Sequence, residues 1–320
     1  MDIDNGPISG DDLPEQGDKS PAVYKRHPLY YFEDANLFLK AQDSGFIYAV
    51  YKGMMAKFSE TFEACFTFPQ PQGKEEGTIF DNPILLPIDA AAFDVLCSFI
   101  FHLGWKSQSN RSTDELLALG RISQFLQCPD ALKFAIAGLR FHSYDFNGGK
   151  KMFYASTFGV PKWGYSATRE ILTSVYGVGG CCSEYSIDMK IHKLLLEGES
   201  NLVCQIQLLA REIPNLDDDA VWSNCPQKDR CMKALIKGWE VLGPAIGQTR
   251  GAIRQVKVLV SMKVESEASF APMRLKCREV LCTRVGQVVE RIEAFVNNAA
   301  GERVKACIEQ EHPEAYDVED

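Results

Sequence analysis

Cys225 and Cys231, separated by Pro226 to Arg230 and flanked by Trp222 and Trp239, come nearest of any pair in this sequence to metal chemistry. A structural zinc ion takes four ligands, usually from two closely spaced pairs. Cys181 and Cys182 offer no second pair, because adjacent residues have poor geometry for one ion. The two thiols are therefore expected to be buried or at helix ends, with no metal ligands and no cofactor, and a disulfide between them is disfavoured in a reducing compartment. The 5 histidines (His27, His102, His142, His192, His312) are scattered and are expected at the surface or at caps. Tyr176-Gly177-Val178-Gly179-Gly180 lacks the Lys-Ser/Thr of a phosphate loop, and no Gly-x-Ser-x-Gly elbow occurs. Asp217-Asp218-Asp219 could attract a cation, but three adjacent loop carboxylates are ordinarily just solvated. No catalytic residue emerges, and a non-enzyme is expected.

A chain of 320 residues suits two domains with tails. The net charge of −9, from 34 Lys+Arg against 43 Asp+Glu, and the lack of a dense basic run disfavour nucleic acid as a partner. The longest apolar stretch, Phe93 to Trp105, is interrupted by Asp94, Ser98 and His102 and falls short of the ~20 residues a membrane span needs. Met1 to Lys19 lacks the basic start and apolar run of a secretory signal. These features predict a soluble protein of the cytoplasm or nucleus. The 11 cysteines, among them Cys65, Cys97, Cys204 and Cys282 in helical apolar patterns, are expected to be reduced and to act as small buried hydrophobes.

Residues 1–28 are acidic and punctuated by glycine and proline, which predicts a disordered tail. Two strands follow, Asn36 to Ala41 and Phe46 to Tyr51, joined by a turn at Asp43-Ser44-Gly45. A helix is predicted from Gly53, with Met55, Phe58, Phe62 and Cys65/Phe66 on one face. Pro83 to Pro87 forms a third short strand, and Asp89 caps a helix facing inward through Phe93, Leu96/Cys97, Ile100 and Leu103. After a polar linker the chain turns helical. Ser112 to Glu115 has capping-box form ahead of Leu116, Leu119, Ile122 and Leu126. Pro129 opens the next helix. Later helices are predicted at 166–176, 187–197, 202–211, 229–242, 252–263 and 273–307, with a flexible break at Gly177 to Gly180.

Within this order the residues Tyr48-x-Val50-Tyr51-Lys52-x-x-Met55-x-x-x-Ser59-x-x-Phe62 resemble the signature of the BTB/POZ domain. Asp34 ahead of the first strand, and Pro83 to Asp89 with Phe93 downstream, extend the resemblance over roughly 29–105. Phe68-Pro69-Gln70-Pro71 is similar to a loop of the expanded BTB family of mushroom-forming fungi. The resemblance implies an adaptor or scaffold that binds other proteins, with Asp34, Lys52, Phe68 and Gln70 as its contact residues. Two positions depart from the family: Tyr51 stands where a histidine is usual, and Phe68-Pro69-Gln70 lacks the glutamate of members that recruit cullin-3 ligases. A cullin-3 substrate adaptor is the first alternative, and an enzyme housed in the helical region the second.

The expected fold is α+β: a BTB/POZ-type domain (29–105), a helical pair (106–145), an all-helical C-terminal domain (146–310) and an acidic tail (311–320). The residues from Leu13 to Pro21 cannot form the amphipathic helix on which stable BTB dimers usually rest, so at most weak self-association is expected. The apolar stripe of 273–307 is assigned to packing on its own domain, with a partner-helix groove as the alternative.

Overall fold

The computed structural model of the chain describes residues 24–68, 76–101, 110–142, 145–249 and 253–313. The chain is α+β, a small sheet with mostly helices, and it divides into two compact units. One comprises Met1–Trp105 with Arg121–Ala131, the other Lys106–Gly120 with Leu132–Asp320.

The first unit is built on strands β1 (Lys25–Tyr31), β2 (Leu37–Ala41), β3 (Phe46–Val50) and β4 (Ile84–Leu86) in the order β1-β3-β2-β4. The hairpin β2–β3 is antiparallel, Leu37 facing Val50 and Leu39 facing Tyr48. The Ser44 hydroxyl accepts from the Phe46 N–H at 2.9 Å and closes the expected turn. Leu37, Leu39 and Ala41 are buried at every second position, as a strand with one core face requires. Ile47 to Val50 are buried without alternation, because β3 is covered on both faces.

β1 corrects the predicted tail, since it begins at Lys25, inside residues 1–28. Its anchor is His27, expected at the surface or at a cap but 8% exposed and enclosed by aromatic rings. The imidazole stacks on Tyr48 at 4.4 Å and on Tyr30 at 5.1 Å. Lys25 and Arg26 then pair in parallel with Phe46 and Ile47.

The helix expected from Gly53 through Phe66 is two helices, α1 (Lys52–Phe58) and α2 (Glu60–Thr67). Ser59 breaks it by adopting extended backbone. Its hydroxyl accepts from the Phe62 N–H and donates to the Leu126 carbonyl, so it caps α2 and ties it to a segment distant in sequence. Helix α3 (Ala90–Phe101) is capped by Asp89 as expected and buries Phe93, Leu96, Cys97 and Ile100.

Helices α4 (Thr113–Phe125) and α5 (Pro129–Phe141) follow. The capping box is formed, Ser112 N–H donating to Glu115 Oε2 at 2.9 Å and Glu115 N–H to Ser112 Oγ at 3.2 Å. The second unit continues with α6 (Gly148–Phe158), absent from the sequence reading, and α7 (Pro161–Thr173). Gly177 to Gly180, expected to be a flexible break, lies in helix α8 (Gly177–Cys182). Val178 is buried there, and its N–H donates to Glu199 at 3.1 Å. The two helices expected on either side of Gly198 are one, α9 (Met189–Arg211). Gly198 keeps that helix close to Ala300 and Leu172, where a Cβ would meet atoms at 3.0 and 3.1 Å. A short α10 (Ala220–Ser223) leads to α11 (Lys228–Gly247), α12 (Ile253–Ser266) and α13 (Leu275–Glu311). α13 packs against α7, α9 and α12 through Leu281, Val285, Val289, Val296 and Val304, the stripe assigned to packing.

Candidate functional site

Asp34 and Lys52, two of the four expected contact residues, lie on adjoining supports in the first unit. Asp34 Oδ1 accepts a hydrogen bond from the Tyr51 hydroxyl at 2.7 Å. This bond pushes the phenol pKa up, with smaller contributions from partial desolvation and from the Asp34 charge. Tyr51 also stacks on Phe32 at 5.2 Å. Asn36 Oδ1 accepts from the Lys52 N–H at 2.8 Å and so fixes the start of α1. The Lys52 ammonium then sits 4.8 Å above the Phe66 ring.

Lys52 and Phe68 line one open cleft of about 230 Å³, together with Asn36, Phe66, Glu76 and Ile84. Phe68 is 70% exposed. Leu85 of the outermost strand β4, next to Ile84, is also exposed. A fixed cation, a carboxylate and free apolar side chains beside a sheet edge suit an extended peptide carrying an apolar residue. Gln70, the fourth expected contact, lies outside the described residues, as does the Leu13 to Pro21 segment.

A second cluster joins His27, Asp94 and Tyr48. His27 Nε2 lies 3.2 Å from Asp94 Oδ1, and the Tyr48 hydroxyl donates to the same oxygen at 2.8 Å. His27 Nδ1 accepts from the N–H groups of Leu29 (3.2 Å) and Tyr30 (3.0 Å). A ring accepting at Nδ1 carries its proton on Nε2, so His27 is neutral and clamps β1 to β3 and α3. Burial lowers the His27 pKa, and Asp94 opposes this without reversing it. The folded state therefore binds this proton less readily than the unfolded chain. Stability from the clamp is complete above about pH 6.5 and drains as pH falls toward the folded pKa, at up to about 1.4 kcal/mol per pH unit. Urea midpoints of this unit should fall between about pH 7.5 and 5.5, and the His27→Gln variant should flatten that slope. A wild-type profile already flat there would mean that the ring is not held neutral.

In the second unit Cys225 and Cys231 are buried, as expected, but they are joined by Cys277. The sulfurs of Cys225 and Cys277 are 3.4 Å apart and those of Cys225 and Cys231 are 3.8 Å apart. Burial pushes the Cys277 pKa up to about 12, and its hydrogen bond to Cys225 adds to the rise. At Cys225 burial also pushes upward, yet hydrogen bonds from the Gln227 backbone and the neighbouring thiols outweigh it and the pKa is lowered. Sequence spacing missed Cys277 because it stands in another helix. Of the four cysteines singled out in helical apolar patterns only Cys97 is fully buried; Cys65 and Cys204 are exposed because they point away from their helices' packed faces, and Cys282 is half-buried.

Asp217 to Asp219 hold no shared cation site among the described residues. Asp219 caps α10, Asp217 pairs with Lys228 at 3.1 Å and Asp218 with Arg284 at 3.5 Å. Among the described residues no helix is long and apolar enough to cross a membrane. Compared with known proteins, the chain matches no family model, no curated protein and no solved structure.

Proposed function

We propose that this chain is a non-catalytic protein-interaction molecule, an adaptor or scaffold, whose sheet-bearing unit is of BTB/POZ type and whose helical unit offers a second contact. The observation that carries the reading is the cleft where Lys52 and exposed Phe68 meet beside strand β4. The sequence of elements supports it too: a β2–β3 hairpin, paired helices α1 and α2, β4 laid parallel to β2, then α3. Two polar clusters among its described residues, Tyr51–Asp34 and His27–Asp94–Tyr48, tie structure together rather than converge on an open cavity. Their groups are spent on holding the unit, which favours binding over catalysis.

The test is affinity capture from an extract of the protein's own cells with the wild-type chain and a Lys52→Glu/Phe68→Asp variant. Loss of a hot-spot aromatic costs ~2 kcal/mol or more, roughly a 30-fold weakening, so the partner should be missing from the variant. A Phe295→Asp control, altered at an exposed position of α13, should retain it. Equal capture by wild type and double variant would overturn the assignment of the cleft. If the captured partner is a cullin, the adaptor belongs to a ubiquitin ligase despite the missing glutamate.

A further inference from the structure

We propose that Cys225, Cys231 and Cys277 form a trithiolate site for a thiophilic d10 metal ion, Zn(II) or Cu(I). The three thiols come from three places: the loop after α10, the first turn of α11 and the first turn of α13. Their sulfurs all lie within 4.8 Å of one another, and all three residues are buried. An ion about 2.3 Å from each sulfur separates them by about 3.8 Å at the tetrahedral angle and about 4.0 Å in a trigonal plane. The distances of 3.4 and 3.8 Å need an opening of about 0.4 Å or less for the tetrahedral angle and of up to about 0.6 Å for the trigonal plane.

Hydrogen-bond donors and helix starts surround the sulfurs. The Arg274 N–H donates to Cys231 Sγ at 3.5 Å, and the Gln227 backbone N–H donates to Cys225. Cys231 and Cys277 sit in the first turns of helices of 20 and 37 residues, at the positive end of their dipoles. Within three positions of a site cysteine the sequence places Lys228, Arg230, Lys233, Arg274, Lys276 and Arg278 against Asp229 and Glu279, an excess of positive charge around the site. Binding releases the three thiol protons to solvent and forms three metal–sulfur bonds, with no change of oxidation state. A disulfide would use two of the sulfurs and strand the third.

Three protein donors with no fourth His, Cys, Asp or Glu among the described residues suit Cu(I) as they stand. Zn(II) would add one exogenous ligand. Either ion would staple the starts of α11 and α13 to the loop between α10 and α11.

The experiment uses the full chain, reduced and kept anaerobic, titrated separately with Co(II) as a spectroscopic stand-in for Zn(II), with Zn(II), and with Cu(I). One ion per chain, with sulfur-to-metal charge transfer in the Co(II) arm and a rise in Tm, is the expected result. The tighter of the Zn(II) and Cu(I) arms names the native ion. Removing a partner that merely orients a ligand costs 10–100-fold, so Cys277→Ser should weaken binding by at least about 100-fold. Cys204→Ser, an exposed position outside the cluster, should bind as wild type does. If Cys277→Ser does not fold, the wild-type titration still decides: no stoichiometric uptake and no metal-dependent rise in Tm overturns the site. Equal binding by a folded Cys277→Ser chain overturns it as well. So does a disulfide within the trio of protein isolated without reductant, if reduction restores no metal uptake.

Discussion

Phe93→Ala should lower the stability of the sheet-bearing unit by about 3–5 kcal/mol. Phe93 is fully buried on the inner face of α3 and meets Tyr48 edge-on, ring centres 4.9 Å apart at 81°. Tyr48 in turn carries the stack on His27, so one ring joins α3, β3 and β1. Truncation leaves a cavity whose floor is the sheet, and a pleated sheet cannot sag to fill it. Hydrogen exchange of the β3 amides is the suitable probe, since it reads the strand against which Phe93 packs. Phe46→Ala on the same strand, where the ring is 39% exposed, should cost about 1 kcal/mol or less. Equal losses at the two positions would mean that Phe93 does not anchor the helix.

Gly149→Ala should be comparably damaging to the helical unit, at about 3 kcal/mol or more. A Cβ at Gly149 would collide with the backbone carbonyl of Cys181 and reach the Tyr185 ring at 3.0 Å. A side chain can rotate away from an added methyl, but a carbonyl within a helix cannot. α8 would have to withdraw, and its buried Val178 and Cys182 with it. Gly179→Ala, three residues into α8 where a Cβ meets nothing, should instead be neutral or stabilising by up to about 1 kcal/mol. Thermal unfolding of the two variants by circular dichroism separates these outcomes. A Tm for Gly149→Ala within a degree or so of wild type would show that α6 and α8 do not need that approach.

What the sequence disclosed followed from local chemistry. The hairpin turn at Ser44, the Asp89 cap, the Ser112–Glu115 box and Pro129 each act within three or four residues, and each stands where expected. The misses share the opposite property. Ser59 looked like an interior helix residue because the carbonyl that draws its hydroxyl, at Leu126, lies 67 positions away. Gly198 looked like a boundary because Ala300, whose approach it permits, belongs to another helix. His27 appeared to be a tail residue until Tyr48 and Asp94 enclosed it. For the candidate interface, the residues Lys52 and Phe68 were legible but their common cleft was not. For the thiol cluster, two of three members were legible and the third could be placed only by the fold.

The placement of α13 bears on how the molecule can be made. At 37 residues it runs for about 55 Å and serves as the shared wall for α7, α9 and α12. A ribosome delivers that wall last of the described elements. While the preceding helices are emerging, the faces of α7, α9 and α12 that α13 covers stay open until its residues are translated. Helical pairings near in sequence can form early, but the unit as a whole should become protease-resistant only once α13 has emerged. A nascent chain stalled before Leu275 would then present an apolar trough, the kind of surface that chaperones hold and quality-control proteases read.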